Sequence, residues 1–590
     1  MELVYMWIKD YGHLKNIGFN FGGKDLFQIK RTEIDRKGYT ITYEMEITKK
    51  QNLYYINNFF NSIESKANII NVTAIIGENG AGKSTILEII RSINSGTGYG
   101  FFILKKGEKH FRTKIMNSNN VKYHFSGFPL EELTNENKLK FERIYFSNMF
   151  QTSAFKQYNK VDPLDLSTLK YLYENKYKNK PLETALSEYS LEELNRQMDF
   201  VSNFYKIITD DFKYSLPSVI TILDSHPIQS DEYGIDNEKI DRIIKKLKSN
   251  EAKKLLKNID FSSYIKKTFD YKIHNFPTNL HKIMKSIFLQ WLLNIINSEE
   301  LKSGNLLKTI IEYSNSSEEF YTYLRSSQNE HINILLDIFE ILVKIAYNYH
   351  KDSKPFTYSA TNNVFGNFVK DEDKESFFKL VKLQKKTDYT SNLLQFKWSN
   401  MSSGEVAILT LFSRFHSIKH KIQSKNILIL LDEPDMYLHP SWVQKFINIF
   451  IEYLKKDFLG KTIQIILTSN KPICTSDLPA QNVVRLIKTG IDEKTNWPLI
   501  EVQKNDTFKS FGANIYSLYK DGFFLNEGFI GLFAKRKIQD VINWLNDKYN
   551  SENSDYIKEI IQIIDEPVLK EKLNMMFSNK MERINDKNSP

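Results

Sequence analysis

The pattern of apolar and polar positions divides the chain into stretches of different period. Residues 39–48 (YTITYEMEIT) alternate, as a half-buried antiparallel strand does. Residues 68–77 (NIINVTAIIG) form a β-branched run of the fully buried kind ending on glycine, and an apolar-periodic helix follows at 84–93 (STILEIIRSI). From about 160 to 390 the spacing changes to three and four. LEELNRQMDFVSNFYKIIT, NEKIDRIIKKLKS, LHKIMKSIFLQWLLNIIN and HINILLDIFEILVKIAYNYH all predict amphipathic helices. No heptad seam persists over four repeats, so a compact helical insertion is expected rather than a long coiled coil. Strand character returns at 425–432 (KNILILLD), 462–469 (TIQIILTS) and 483–487 (VVRLI), with a helix over 441–456. Strands alternating with helices imply a parallel sheet covered on its faces. The tail carries two helical patterns, GFIGLFAKRKIQDVINWLND and DYIKEIIQIIDE, and its last dozen residues are polar and expected to fray.

The expected fold class is α/β, a mixed sheet with a parallel core plus amino-terminal antiparallel strands. The expected units are an amino-terminal lobe (1–158), a helical insertion (159–392), a carboxy-terminal lobe (393–500) and a helical tail (501–590).

Composition narrows the class. With 590 residues the chain exceeds one ordinary core, and 41% hydrophobic content argues against disorder. Only 14 prolines and 23 glycines favour a helix-rich chain. The single cysteine, Cys474, excludes an internal disulfide and fits a reducing, cytoplasmic compartment. No run is apolar enough to span a membrane, and none reads as a signal peptide. The net charge of +10 is compatible with nucleic-acid contact and equally with lysine-rich solvated helices.

Three short motifs carry the chemistry. Residues 77–84 read G-x-x-x-x-G-K-S between a buried strand and a helix. Gly77, Gly80 and Gly82 let the backbone wrap a phosphate, with Asn79 and Thr85 lining the same turn. Lys83 can reach the β- and γ-phosphates, and the Ser84 hydroxyl can bind Mg2+. Asp432 closes the apolar run 427–431 at a strand's carboxyl end, where parallel sheets bind ligands. It can hold the hydration shell of Mg2+, and Glu433 can polarise an attacking water. Ser402, Ser403 and Gly404, followed by Glu405, open a helical run. They read either as a helix cap or as a loop presenting N–H groups and a hydroxyl to a phosphate.

The order GENGAGKS, helical insertion, MSSGE, LLDEPDMYLHP resembles the ABC-class ATPase heads of the SMC, RecF and overcoming-lysogenization-defect group. The resemblance implies an ABC/SMC-type head binding ATP and Mg2+. It implies a homodimer or higher assembly in which two heads sandwich two nucleotides, with Ser402 acting on the partner's γ-phosphate. FSNMFQ stands where that group has its Q-loop, so Gln151 or Asn148 would touch Mg2+. Lys15 and Asn16, taken as the turn of the opening strand pair, match the edge that meets base and ribose. His439 would belong to the loop at the dimer seam. Where the group has a histidine that senses the γ-phosphate, this chain has Asn470. Asparagine can hydrogen-bond but cannot carry a proton, which implies slow hydrolysis.

The tail segment FKSFGANIYSLYKDGFFLNEGFIGLFAKRKI resembles stand-alone ATPases of phage-defence operons, Septu-type and in part retron-associated. The resemblance implies a separate nuclease partner, HNH-type above all, with DNA or a retron reverse transcriptase and its RNA as further candidates. A DNA repair ATPase that binds DNA directly and a nucleotide-gated scaffold with little turnover are the other readings.

Overall fold

The computed structural model describes residues 1–37, 40–61, 67–91, 100–113, 121–133, 141–149, 164–173, 182–204, 218–224, 241–242, 245, 276–297, 320–326, 329–352, 363–386, 393–399, 401–493, 495–503, 508–522, 530–546 and 554–587. They fall into two units, Met1–Leu518 and Tyr519–Pro590.

The first unit opens with a hairpin of β1 (Glu2–Tyr11) and β2 (Leu14–Asn20), then β3 (Asp25–Lys37) and β4 (Thr40–Gln51). The buried run becomes β5 (Asn68–Gly77), which leads into helix α1 (Lys83–Arg91). Five strands follow: β6 (Gly100–Lys106), β7 (Lys109–Arg112), β8 (Val121–Gly127), β9 (Glu131–Glu132) and β10 (Glu142–Ser147). Next come α2 (Thr168–Tyr173), α3 (Leu182–Phe204), β11 (Val219–Asp224), α4 (Phe276–Asn297), α5 (Phe320–Ser326), α6 (Glu330–Asp352), β12 (Asn363–Asn367), α7 (Asp371–Gln384) and β13 (Leu394–Trp398). The unit continues with α8 (Ser403–Ile418), β14 (Asn426–Asp432), α9 (Pro440–Asp457), β15 (Thr462–Thr468), β16 (Val483–Ile491) and β17 (Pro498–Gln503).

A six-stranded sheet in the order β10-β14-β15-β5-β16-β17 forms the centre. Every neighbouring pair is parallel except β16 with β17. Parallel strands must be covered on both faces, and Ile427 to Leu431 are accordingly at most 3% exposed. One face packs Ile75, Leu428, Leu430, Ile466 and Leu486 against Ile86, Leu87 and Ile90 of α1, Met6 of β1, Phe19 of β2 and Phe21 just past β2. Each such side chain is stabilised by about 1.5–3 kcal/mol relative to exposure. Helices α8 and α9 interlock through aromatic rings. Phe412 meets Tyr453 edge-on at 4.8 Å, and Phe415 meets Phe450 at 5.2 Å.

Beside the central sheet, the amino-terminal strands form two further sheets, β2-β1-β6-β7-β9 and β3-β4-β8. The segment expected to be wholly helical departs from that reading. It carries β11 and β12, which join β13 in an antiparallel sheet. The β-branched run Val219–Ile222 favours a strand, and β11 sits between its two partners as the middle strand.

Among its described residues the second unit has three α-helices rather than two: α10 (Leu532–Leu545), α11 (Ser554–Ile563) and α12 (Pro567–Lys587). Val541, Trp544, Ile557, Ile561 and Leu573 form its core. The polar end expected to fray is helical to Lys587, because Leu573, Met576, Phe577 and Met581 turn one side of α12 onto that core. Among the described residues no helix is long and apolar enough to cross a membrane.

Candidate functional site

The phosphate loop spans the gap between the end of β5 and the start of α1. Gly77 must be glycine, because a Cβ there would lie 2.4 Å from the Leu486 carbonyl oxygen of β16. Lys83 is the first residue of α1 and only 6% exposed. Its ammonium donates to the carbonyls of Gly77 at 3.0 Å and Glu78 at 3.2 Å, folding back across its own loop. Burial pulls its pKa below the ordinary lysine value, and Glu433 and Asp432 oppose that shift.

Asp432 ends β14 and is 3% exposed. One carboxylate oxygen accepts from Ser84 Oγ at 3.0 Å and from Thr468 Oγ1 at 2.7 Å, and the other accepts from the Tyr145 hydroxyl at 3.3 Å. The pairing follows from strand order: β15 lies between β14 and β5, so Thr468 at its end bridges the two chemical strands. The same threonine oxygen accepts from Glu433 N at 2.9 Å. Glu433 has φ +45°, a left-handed conformation that costs a non-glycine residue about 1–2 kcal/mol. Its carboxylate accepts from Asn470 Nδ2 at 2.5 Å. Burial raises its pKa, the neighbouring Asp432 raises it further, and Lys83 and Asn470 offset only part of this.

A family model described as "AAA domain, putative AbiEii toxin, Type IV TA system" matches residues 72–469. The chain belongs to this family. The match opens inside β5 and closes one residue past β15, so it takes in the phosphate loop, Asp432, Glu433 and Thr468. This AAA domain is a P-loop ATPase domain, a class that works with nucleotide and Mg2+. No curated protein matches the chain significantly.

The fold brings together Gly77, Gly80, Gly82, Lys83, Ser84, Asp432, Glu433 and, one residue past the matched domain, Asn470, with Asn79 exposed on the loop and Thr85 half-buried in α1. Ser402 caps α8 in a reciprocal box: its Oγ accepts from Glu405 N at 3.3 Å, and its own N–H donates to Glu405 Oε2 at 2.7 Å. Ser402 and Ser403 are exposed, whereas Gly404 is buried against the loop before α9. A Cβ on Gly404 would lie 3.0 Å from the Tyr437 carbonyl oxygen. His439 is exposed and caps α9, its Nδ1 accepting from Ser441 N. Lys471 fixes the same loop by donating to the carbonyls of Asp435, Met436 and Leu438. Asn148 is half-buried just past β10, and Gln151 lies outside the described residues.

The opening hairpin requires a correction. Its turn is Gly12–His13, because Tyr11 pairs with Leu14. Lys15 and Asn16 therefore belong to β2, and Lys15 is engaged with Asp492 at 2.6 Å. Gly12, with φ +60°, supplies the left-handed residue of the turn. His13 takes the place expected of Lys15 and Asn16, reaching Gly82 of the phosphate loop. The sequence reading also assigned no role to Thr468, Tyr145 or Lys488. Thr468 ends an apolar strand on a hydroxyl, a signal that could have been used. Tyr145 sits in ERIYFS, where nothing distinguishes it from a core aromatic.

Proposed function

We propose that this chain binds and hydrolyses ATP with Mg2+, as the ATPase subunit of an anti-phage complex whose nucleotide state governs a separate nuclease. One observation carries the chemistry: Ser84, Asp432, Thr468, Glu433 and Asn470 form a single hydrogen-bonded line beside the phosphate loop. A hydroxyl and a carboxylate 3.0 Å apart are the hard oxygen donors that Mg2+ takes, with water completing its shell. Ser84 and Asp432 would hold the ion, which when bound polarises the phosphate oxygens. Lys83 exchanges its two loop carbonyls for β- and γ-phosphate oxygens. Glu433 takes the proton of the attacking water, and its raised pKa brings it closer to the working pH of a general base. Asn470 orients that carboxylate.

Ser402 acts on the γ-phosphate of a second copy in a head-to-head dimer. Its exposed place at a helix N-terminus supports this, since the long 3.3 Å cap can give way to a phosphate. The control of a nuclease rests on the tail's resemblance to defence ATPases. The family's own description, which names a toxin system, also favours a role in defence. A direct DNA-binding role is favoured only by the net charge of +10.

Lys83→Ala tests the chemical core: ATP binding measured by calorimetry should be lost, and a variant that still binds ATP would overturn the proposal. Purification from native cells tests the assembly. An HNH-type nuclease co-eluting with the chain is expected, whereas ATPase activity stimulated by DNA in the isolated chain would favour the DNA-binding role.

A further inference from the structure

The flank of the phosphate loop away from Glu433 carries two groups that the hydrolytic line does not use. β5 has β15 on one side and β16 on the other, and Asp432 and Glu433 lie beyond β15, at and just past the end of β14. In the β16–β5 pairing Leu486 stands beside Gly77. Lys488 follows two residues later and reaches along the loop: a Cβ on Gly80 would lie 3.6 Å from its ammonium. Lys488 is exposed. From the hairpin turn, His13 reaches the same loop, its Nε2 standing 2.8 Å from where a Cβ on Gly82 would be. That nitrogen is shielded from water and has no hydrogen-bond partner.

Two lysines converge here on one glycine loop. Burial is the main cause that lowers the pKa of His13, and the charge of Lys488 lowers it further. Two cations on one loop repel each other, and a polyanion between them turns that repulsion into attraction. A buried nitrogen without a partner likewise disfavours the empty site and rewards a ligand oxygen.

We propose that Lys488 and His13 form a second wall of the nucleotide site, within the same chain, that grips the part of the nucleotide left behind when the γ-phosphate departs. Lys488 meets oxygens of the α- and β-phosphates, and His13 Nε2 meets a phosphate or sugar oxygen. The geometry selects this part because the γ-phosphate must face Glu433, on the opposite side of β5. The wall therefore contributes equally to ATP and ADP, and the site keeps its hold on the product.

This rests on the phosphate loop binding nucleotide, and the test separates the two ideas. Full-length chain is titrated with Mg-ATP and Mg-ADP as wild type, Lys83→Ala, Lys488→Ala, Lys488→Arg and His13→Ala. Lys488→Ala should weaken ATP and ADP by the same factor, roughly tenfold for one charge-assisted contact. Lys488→Arg should restore most of it, and His13→Ala should weaken both nucleotides several-fold. Because Lys488 is exposed, the ligand-free melting temperature of Lys488→Ala should not fall. Unchanged affinities in Lys488→Ala, or a loss for ATP with ADP untouched, would overturn the wall while the loop reading stands. Nucleotide binding that survives Lys83→Ala would overturn the loop reading and the wall together.

Discussion

Two glutamates, one buried and one half-buried, show how this molecule treats charge differently in its scaffold and in its site. Glu193, on α3, faces Arg414 of α8, whose Nε lies 3.1 Å from its carboxylate, and Arg196 at 2.7 Å. Arg414 is fully buried, and its remaining donors reach the Leu166 carbonyl, the Thr168 hydroxyl and the Tyr189 hydroxyl. Burial alone would raise the pKa of Glu193, but the two guanidinium groups outweigh it and hold it below the ordinary value. Glu433 stands in the opposite condition. Burial and Asp432 raise its pKa, its backbone is left-handed, and the group that donates to its carboxylate is the neutral amide of Asn470. A charge with every partner in place locks two helices together. A charge short of partners is kept in tension for a ligand, and such strain marks working sites rather than scaffolds.

The largest effect should come from the strained member. Glu433→Gln should reduce phosphate release roughly 10²–10⁴-fold, the range for removing a general base, while ATP still binds. The ligand-free melting temperature should stay level or rise, because the variant relieves repulsion from Asp432. A clear loss of stability would place Glu433 among the structural charges and dissolve the contrast.

Next in size is the satisfied member. Arg414→Met leaves Glu193 buried without its main counter-charge and should cost about 3–5 kcal/mol in urea denaturation. Adding Glu193→Leu should return much of that loss, since two apolar groups of similar size replace the pair. A single variant as stable as wild type would mean that Arg196 alone suffices.

A smaller, signed effect appears with pH. Glu193 has a lowered pKa, so its contribution is present above the ordinary glutamate value of 4.5 and fades as pH falls through the lowered one. Glu433 has a raised pKa, so its contribution is present below 4.5 and fades as pH rises through the raised one. In melting curves, the advantage of wild type over Glu193→Gln should shrink as the solution is acidified from neutral. Against Glu433→Gln the wild type should lose ground as pH rises from acid toward neutral. Two difference curves of the same sign would refute the distinction.

These two glutamates also mark the limit of what could be read from the chain. The strained site was legible because its parts are local. A glycine loop between strand and helix, and an acidic pair after five apolar residues, each announce themselves within ten positions. The satisfied network was not, because Arg414 and Glu193 are separated by 221 positions and each sits in a helix where a charge reads as solvent-facing. Long separation hid the three-stranded sheet in the same way: Val219 pairs with Asn367 across the greater part of the insertion. The hairpin turn was misplaced by a few residues, a small error in backbone terms. It still exchanged an exposed Lys15 for His13 at the phosphate loop.

The smallest expected change concerns the residue that orients the strained glutamate. Asn470 donates to Glu433 through Nδ2 at 2.5 Å. In histidine, Nδ1 stands at the same bond count from the backbone as that amide nitrogen. Asn470→His can therefore keep the hydrogen bond to Glu433 through Nδ1–H and leave Nε2 to face the γ-phosphate. Phosphate release should rise a few-fold, with a new limb in the pH–rate profile near the histidine range of about 6.5. Asn470→Ala removes the donor and should lower turnover several-fold with ATP affinity little changed. If the alanine variant matched wild type and the histidine variant showed no new limb, Asn470 would be a bystander. The tension on Glu433 would then be set by Asp432 and burial alone.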